Sequence, residues 1–90
     1  MTKQERLALI RDSWCQVAQA ESAFELAEAR LNALRKGVTR EHFEVCFRAW
    51  DRARMAWGGA RLRYDRVLSE HATFPFGWGG GYCVKEDDAV

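Results

Sequence analysis

Four arginines and a pair of glycines share one side of the segment between Thr39 and His71. At 100° per residue in a helix, the arginines and the second glycine fall within an arc of about 60°. We call these arginines the arginine row: Arg48, Arg52, Arg63 and Arg66, with Gly58 and Gly59 in the middle. Guanidinium groups bind carboxylates and phosphates in a fixed fork geometry. The spacing therefore predicts a partner-binding face, and Met55 and Leu62 on the same side add apolar contact.

The same charges are also typical of a solvated helix face. Glu44 precedes Arg48 by four residues, the spacing at which opposite charges pair along a helix. Glu41 and Glu70 bracket the arginine row. Two interpretations follow from the sequence: a face that binds an acidic protein surface or nucleic-acid phosphates, and a salt-bridged face that binds nothing.

The histidines and cysteines could supply zinc ligands, but their spacing argues against a metal site. His42 and Cys46 lie four residues apart, and His71 and Cys83 could complete a set of four. No Cys-x-x-Cys pair is present, and roughly 40 Å of helix would separate the two histidines. We therefore expect no metal and no cofactor. No nucleophile is spaced to meet a base, so we expect no catalytic residues and no enzymatic activity.

Length and composition indicate a single soluble domain. The chain has 90 residues, of which 48% are hydrophobic and 30% charged, and its formal net charge is +1. So small a charge gives no support to binding of nucleic acid or anionic membranes through bulk electrostatics. There is no run of about 18 apolar residues and no apolar signal segment near the start. With three cysteines and no paired spacing, we expect a cytoplasmic protein without a membrane partner.

Two sets of seven-residue repeats predict the helices that position these residues. Seven residues are close to two helical turns, so each series marks one face of a helix. The large series are Ile10, Val17, Phe24, Leu31, Val38 and Phe43, Trp50, Trp57, Tyr64, His71. Three positions on, the smaller series are Ser13, Ala20, Ala27, Leu34 and Cys46, Ala53, Ala60, Val67. Large and small series can interdigitate, which predicts an all-α fold, an antiparallel two-helix hairpin.

Capping signals set the predicted boundaries: a first helix over residues 2–36, a turn at 37–39, a second helix over 39–71 and a C-terminal tail over 72–90. Thr2 begins a capping box, and Thr39 suits the N-cap of the second helix. Gly37 suits the left-handed position that follows a helix end. Each glycine of Gly58-Gly59 costs roughly 1 kcal/mol against alanine in a helix. We therefore expect the second helix to be kinked or broken there.

The tail is rich in glycine and aromatic residues, and two roles are open to it. Its first three aromatic residues could fold back over the open end of the hairpin: Phe74, Phe76 and Trp78. Alternatively the tail binds a partner, with Trp78 and Tyr82 as anchors and Tyr82–Val84 as an added strand. Residues 85–90 are predicted to form a solvated end.

The aromatic series of the second helix needs a cover. Two helices cannot enclose two Trp, a Phe and a Tyr from both sides, because small domains have little core. The tail, a second copy of the chain or another protein must cover the remaining surface. A homodimer that forms a four-helix bundle is the simplest solution.

Two short motifs resemble those of the WXG100 family of secreted helical hairpins. Members of that family carry Trp-x-Gly and a trailing Tyr-x-x-x-Asp/Glu. Trp57-Gly58-Gly59 and Tyr82-Cys83-Val84-Lys85-Glu86 are similar to these motifs. The family places Trp-x-Gly in the hairpin turn, whereas the turn predicted here lies at 37–39. The resemblance implies a secreted hairpin.

In size and in its lack of catalytic motifs, the chain is also similar to small phage and mobile-element proteins that block bacterial machines, such as anti-CRISPR proteins. That resemblance implies an inhibitor. The leading expectation is therefore a non-catalytic protein that occupies a site on a larger protein or complex. The alternative is a nucleic-acid-binding protein that uses the arginine row.

Overall fold

Two long antiparallel helices make up most of the molecule. The computed structural model describes residues 1–86, with α1 over Lys3–Asn32 and α2 over Arg40–His71. A short antiparallel pair, β1 (Ala72–Thr73) and β2 (Cys83–Val84), follows, with a 3₁₀ turn at Trp78–Gly80 between the two strands. The predicted all-α two-helix hairpin is confirmed. The molecule measures 65 × 24 × 13 Å, so the hairpin is a single layer with two open faces.

Side-chain caps begin both helices where the sequence predicted. Thr2 Oγ1 accepts a hydrogen bond from the backbone N–H of Glu5 at 3.1 Å, and Glu5 Oε1 accepts one from the Thr2 N–H at 3.3 Å. Thr39 Oγ1 accepts from the His42 N–H at 3.1 Å. Each cap satisfies backbone donors that have no partner within the helix. The end of α2 at His71 also agrees with the prediction.

The end of α1 differs from the prediction, because the helix stops at Asn32 and not at residue 36. A β-turn follows in which the Val38 N–H donates to the Arg35 carbonyl at 3.3 Å. Gly37 does adopt a left-handed φ of +89°, but it does so inside this turn and does not cap α1. The turn needs Lys36 and Gly37 at its centre, so the helix must end upstream of them.

The helix α2 runs without interruption through Gly58-Gly59, so the predicted break is wrong; a kink there stays a prediction. Neither glycine has a positive φ, and the flanking Trp57 and Ala60 both face inward, with Ala60 buried. Packing on both sides of the pair therefore outweighs the weak helix preference of glycine.

Alanine at either glycine should stabilise the hairpin. A Cβ at Gly58 would meet nothing within 4 Å, and one at Gly59 would lie 3.8 Å from Arg63 Nη1, an ordinary contact. We expect Gly58→Ala and Gly59→Ala each to raise the free energy of unfolding by about 1 kcal/mol, measured by urea denaturation. The matched control, Gly37→Ala, should lower it because of the positive φ. A loss of stability in either helix variant would contradict this prediction.

The buried core lies at the end of the hairpin away from the connecting loop. Ile10, Leu68 and Ala72 form it, with four half-buried side chains packed around them: Tyr64, Val67, Phe74 and Val84. The remaining buried residues are also at this end: Arg6, Ser13, Val17 and Ala60. Among the described residues, none between positions 18 and 59 is buried. Only one half of the hairpin therefore has a true core.

The tail folds back on this core end. The strand β2 pairs with β1, with Val84 opposite Ala72, and the Lys85 N–H donates to the His71 carbonyl at 2.9 Å. Phe74 packs against the core, whereas Phe76 is 85% exposed and covers nothing. Of the predicted solvated end, Lys85 is half-buried and Glu86 is exposed; residues 87–90 lie outside the described residues. The predicted strand thus pairs within the chain.

Candidate protein-binding surfaces

The arginine row lies on the exposed side of α2, turned away from α1. All four of its arginines are exposed, and Met55 and Leu62 beside them are 68% and 69% exposed. Gly58 and Gly59 lie between Arg52 and Arg63, as the helical spacing predicts, and Gly58 is itself exposed. The structure thus brings together the eight predicted α2 residues on one rigid helix.

The acidic neighbours of the arginine row are engaged elsewhere or make no ion pair. Glu44 Oε1 accepts from Arg40 Nε at 3.1 Å and so does not pair with Arg48. Asp51 Oδ1 accepts from Arg54 Nη2, also at 3.1 Å. Within residues 1–86, none of the four arginines in the row makes an ion pair or a side-chain hydrogen bond. The row itself therefore has no salt bridge within the described residues, and whether this face binds a partner stays a prediction.

A shallow recess opens at the N-terminal end of the arginine row. Its volume is about 450 Å³, and it is lined by Val45, Arg48, Asp51 and Arg52. Val45 is exposed, so the recess combines an apolar wall with two guanidinium groups. Such a surface suits a carboxylate that is presented beside an apolar side chain.

A second surface is a continuous run of five aromatic rings on the hairpin. The ring centroids follow one another at 6.1 Å (Phe43 to Phe47), 5.6 Å (Phe47 to Trp50), 6.0 Å (Trp50 to Phe24) and 5.3 Å (Phe24 to Trp57). We call these residues the aromatic run. Phe43 and Phe47 are 46% and 45% exposed, and the other three are half-buried. The described part of the tail, residues 72–86, packs at the opposite end of the hairpin and leaves this part of the predicted aromatic series uncovered.

Two arginines lie on the tryptophans of the aromatic run. The guanidinium carbon of Arg54 is 5.3 Å from the Trp50 ring centroid, and that of Arg61 is 5.3 Å from the Trp57 ring centroid. Both contacts are cation–π interactions between residues four apart on one helix. Neither arginine is among the residues predicted from the sequence, although the repeated Trp-x-x-x-Arg spacing is a readable signal of such contacts.

An aromatic cleft lies where the tail meets the helices. It has a volume of about 250 Å³ and is lined by Ile10, Arg11, Trp14, Tyr64 and Tyr82. The rings of Trp14 and Tyr64 are 5.2 Å apart. Burial raises the pKa of the Tyr64 phenol, and the nearby Tyr82 phenol and Asp65 carboxylate raise it further, so the phenol keeps its proton at neutral pH. The predicted anchor Tyr82 therefore lies in a cleft of its own chain.

Trp78 and the possible zinc ligands complete the set of predicted residues. Trp78 begins the 3₁₀ turn of the tail. His42 and Cys46 approach each other to 4.0 Å between Nε2 and Sγ, but His71 lies at the far end of α2, so the proposed zinc set does not assemble. Within the described part of the chain, no three His, Cys, Asp or Glu side chains cluster as metal ligands do.

Comparison with known proteins adds no relative. No protein-family model, curated protein or solved structure matches the chain. Over residues 1–86, no helix has the length and apolar character needed to cross a membrane. Trp57 lies deep inside α2, far from the hairpin loop, so the position of Trp-x-Gly differs from that in the WXG100 family, as the predicted turn had indicated.

Proposed function

We propose that this chain is a non-catalytic protein-binding protein that occupies a site on a larger protein or complex. The observation that supports it most directly is the arginine row, whose four exposed guanidinium groups have no acidic partner in residues 1–86. Arginine is enriched at protein interfaces because it binds carboxylates through two parallel hydrogen bonds and also packs against apolar surface. The row therefore fits an acidic patch on a partner protein.

The apolar residues around the arginine row favour a protein partner over nucleic acid. Met55, Leu62 and Val45 are each at least 65% exposed and lie among the arginines. Phosphate backbones give such side chains little to contact, and nucleic-acid interfaces are more polar and more positive than this face. The formal net charge of +1 supports the same choice.

The centre of the proposed interface is the pair Arg52 and Arg63, on either side of Gly58-Gly59. Both arginines extend from a helix whose backbone is already ordered, so binding must order only their side chains. The glycines leave a gap in the side-chain layer, and a partner's backbone can come close there. Arginine anchors of this kind carry much of the energy of an interface once they are desolvated.

Reversing the two central charges tests the proposal. We expect Arg52→Glu/Arg63→Glu to lose the partner in affinity capture from lysate of the source cells, with helicity and melting temperature nearly unchanged. The matched control, Arg30→Glu/Arg35→Glu, changes the same net charge at exposed positions away from the row and should retain the partner. If the first variant still binds and Trp78→Ala/Tyr82→Ala does not, the tail is the binding site and the proposal fails.

Nucleic-acid binding by the arginine row is the competing function, and salt dependence separates the two. Each phosphate neutralised lowers log affinity by about 0.9 per log unit of salt. A mobility shift of DNA or RNA at low salt that disappears steeply with added salt, and that Arg52→Glu/Arg63→Glu removes, would support the competing function. If DNA and RNA show no mobility shift at low salt, the competing function is excluded and protein binding remains.

In its most specific form, the proposal is a cytoplasmic inhibitor like the anti-CRISPR proteins that the chain resembles in size. Such a protein needs no catalytic group, because occupying a functional site is enough to block it. The rigid helix and the pre-formed arginine row supply the features that this mode of action requires. Once the captured partner is identified, its function can be measured with and without the bound chain, and a loss of function in the complex supports inhibition.

A further inference from the structure

One half of the hairpin has aromatic side chains but no core. Residues 18–59 include all five rings of the aromatic run, yet no residue in this range is buried. The half that the tail covers has seven buried residues by contrast. Aromatic side chains contribute most when they are enclosed. The exposed half therefore lacks a covering element, which must come from outside the chain described here.

The aromatic run reaches one broad face of the layer, and charged residues from both helices share that face. At 100° per residue, Trp14, Glu21 and Glu25 fall within about 40° of one another on α1. On α2, a second arc of about 40° contains four residues: Phe43, Phe47, Arg54 and Arg61. Around each helix axis, the group lies roughly 80° from the side that packs on the other helix. Viewed from the N-terminus of each helix, the direction of this rotation is the same for both helices. Because the helices are antiparallel, both groups point to the same side of the layer.

Contacts between the helices fix the level of each charge along the hairpin. Phe24 stacks on Trp57 and touches Trp50, and Trp14 meets Tyr64. Along the long axis of the hairpin, Arg54 therefore lies between Glu21 and Glu25. Arg61 lies about one helical turn beyond Glu21, toward the end covered by the tail. The face thus has an acidic half on α1 and a basic half on α2, side by side.

Three of these four charged side chains make no ion pair within residues 1–86, although both arginines contact a tryptophan ring. In residues 1–86, Glu21, Glu25 and Arg61 form no ion pair, and Arg54 pairs with Asp51 of its own helix. Further toward the tail, the signs are exchanged, with exposed Arg11 on α1 and exposed Asp65 on α2. Neither of these two side chains forms an ion pair within the described range.

From this charge pattern we infer that the cover is a second copy of the chain. In a symmetric dimer with its two-fold axis parallel to the helices, each α1 lies on the partner's α2, in antiparallel orientation. Glu21 and Glu25 then face Arg54 and Arg61 across the interface. Arg11 faces Asp65 in the same way. Two copies form a four-helix bundle that encloses both aromatic runs.

The charges also select this arrangement over the other symmetric one. In the other arrangement, α1 lies on the α1 of the second copy and α2 on its α2. Acidic residues of α1 would then meet acidic residues, and like charges across an interface are unfavourable. The broad face measures at most 65 by 24 Å, which exceeds the roughly 800 Å² that each partner gives to a standard interface. The arginine row lies on a different side of α2, so dimerisation leaves it accessible.

Complementary charge-reversed chains test the inference. Under reducing conditions, light scattering across a concentration series should give twice the chain mass for the unaltered protein. Arg54→Glu/Arg61→Glu and Glu21→Lys/Glu25→Lys should each fall to the mass of one chain. Mixing the two variants in equal amounts should restore the dimer mass, because opposite charges again face each other between chains. Arg30→Glu/Arg35→Glu, with the same net change as the first variant, should remain a dimer.

Three results would overturn the inference: a monomer mass for the unaltered chain at every concentration, a dimer mass for both reversed variants alone, or a mixture that stays monomeric. The last would mean that these charges do not face each other between two chains. Circular dichroism checks that both variants fold. Should either lose helicity, Phe47→Ala is the second variant; Phe47 is 45% exposed, so its truncation spares the core while weakening the dimer.

Discussion

The Ile10→Ala variant should lose about 2–5 kcal/mol of unfolding free energy, the range measured when a large buried aliphatic side chain is cut to alanine. Ile10 is 1% exposed and is the largest fully buried side chain among those described. It contacts the core from α1 while Leu68 and Ala72 contact it from the other side. The cavity left behind has little room to collapse, because the tail, α1 and α2 all meet there. Urea denaturation monitored by tryptophan fluorescence measures the loss.

Leu26→Ala is the matched control for this prediction. Leu26 lies on the same helix and is 54% exposed, so its truncation removes a similar volume from a solvated position. Alanine is an excellent helix former, and we expect a change below about 0.5 kcal/mol. Equal losses for the two variants would mean that the core does not centre on Ile10.

Replacing His71 by alanine should cost about 1.5–3 kcal/mol, the range for a hydrogen bond to a charged group. Arg6 Nη1 donates a hydrogen bond to His71 Nδ1 at 2.9 Å, so this ring nitrogen acts as the acceptor. Arg6 is only 9% exposed, and its charge needs every acceptor that the fold supplies. Thermal unfolding and urea denaturation should both report the loss.

Two substitutions separate this hydrogen bond from other roles of the ring. In His71→Asn the amide oxygen can take the place of Nδ1 as acceptor, so this variant should recover much of the loss. His42→Ala removes an exposed imidazole from the same helix and should be close to neutral. If His71→Asn is as unstable as His71→Ala, packing of the ring and not its acceptor stabilises this end of the hairpin.

Much of the fold was predictable because local chemistry and tertiary packing agree. The seven-residue series and the two threonine caps each follow from short-range rules, and the structure confirms the helices that they predict. The end of α1 was predicted too late, because a helix propensity cannot reveal that a β-turn around Gly37 needs the next residues. The break at Gly58-Gly59 was wrong because local preference carried too much weight against the packing of Trp57 and Ala60.

The candidate surfaces were predictable only in part. Helical spacing alone places the arginine row on one side of α2. Which acidic residues pair with which arginines was not readable, since Glu44 lies four residues from both Arg40 and Arg48 and binds the former. The aromatic run joins Phe24 of α1 to rings of α2, and contacts between distant segments do not appear in a local pattern.

The position of the core sets the order in which the molecule opens. Local unfolding starts where few side chains are buried, and here that is the half of the hairpin next to its loop. Amide hydrogens of residues 18–59 should therefore exchange with solvent through partial openings, while those around Ile10 and Leu68 should exchange only on global unfolding. The contacts between these two residues join segments far apart in the chain, so folding must close a long loop before its most stable part forms. The most stable contacts of the hairpin are therefore at the end away from its connecting loop.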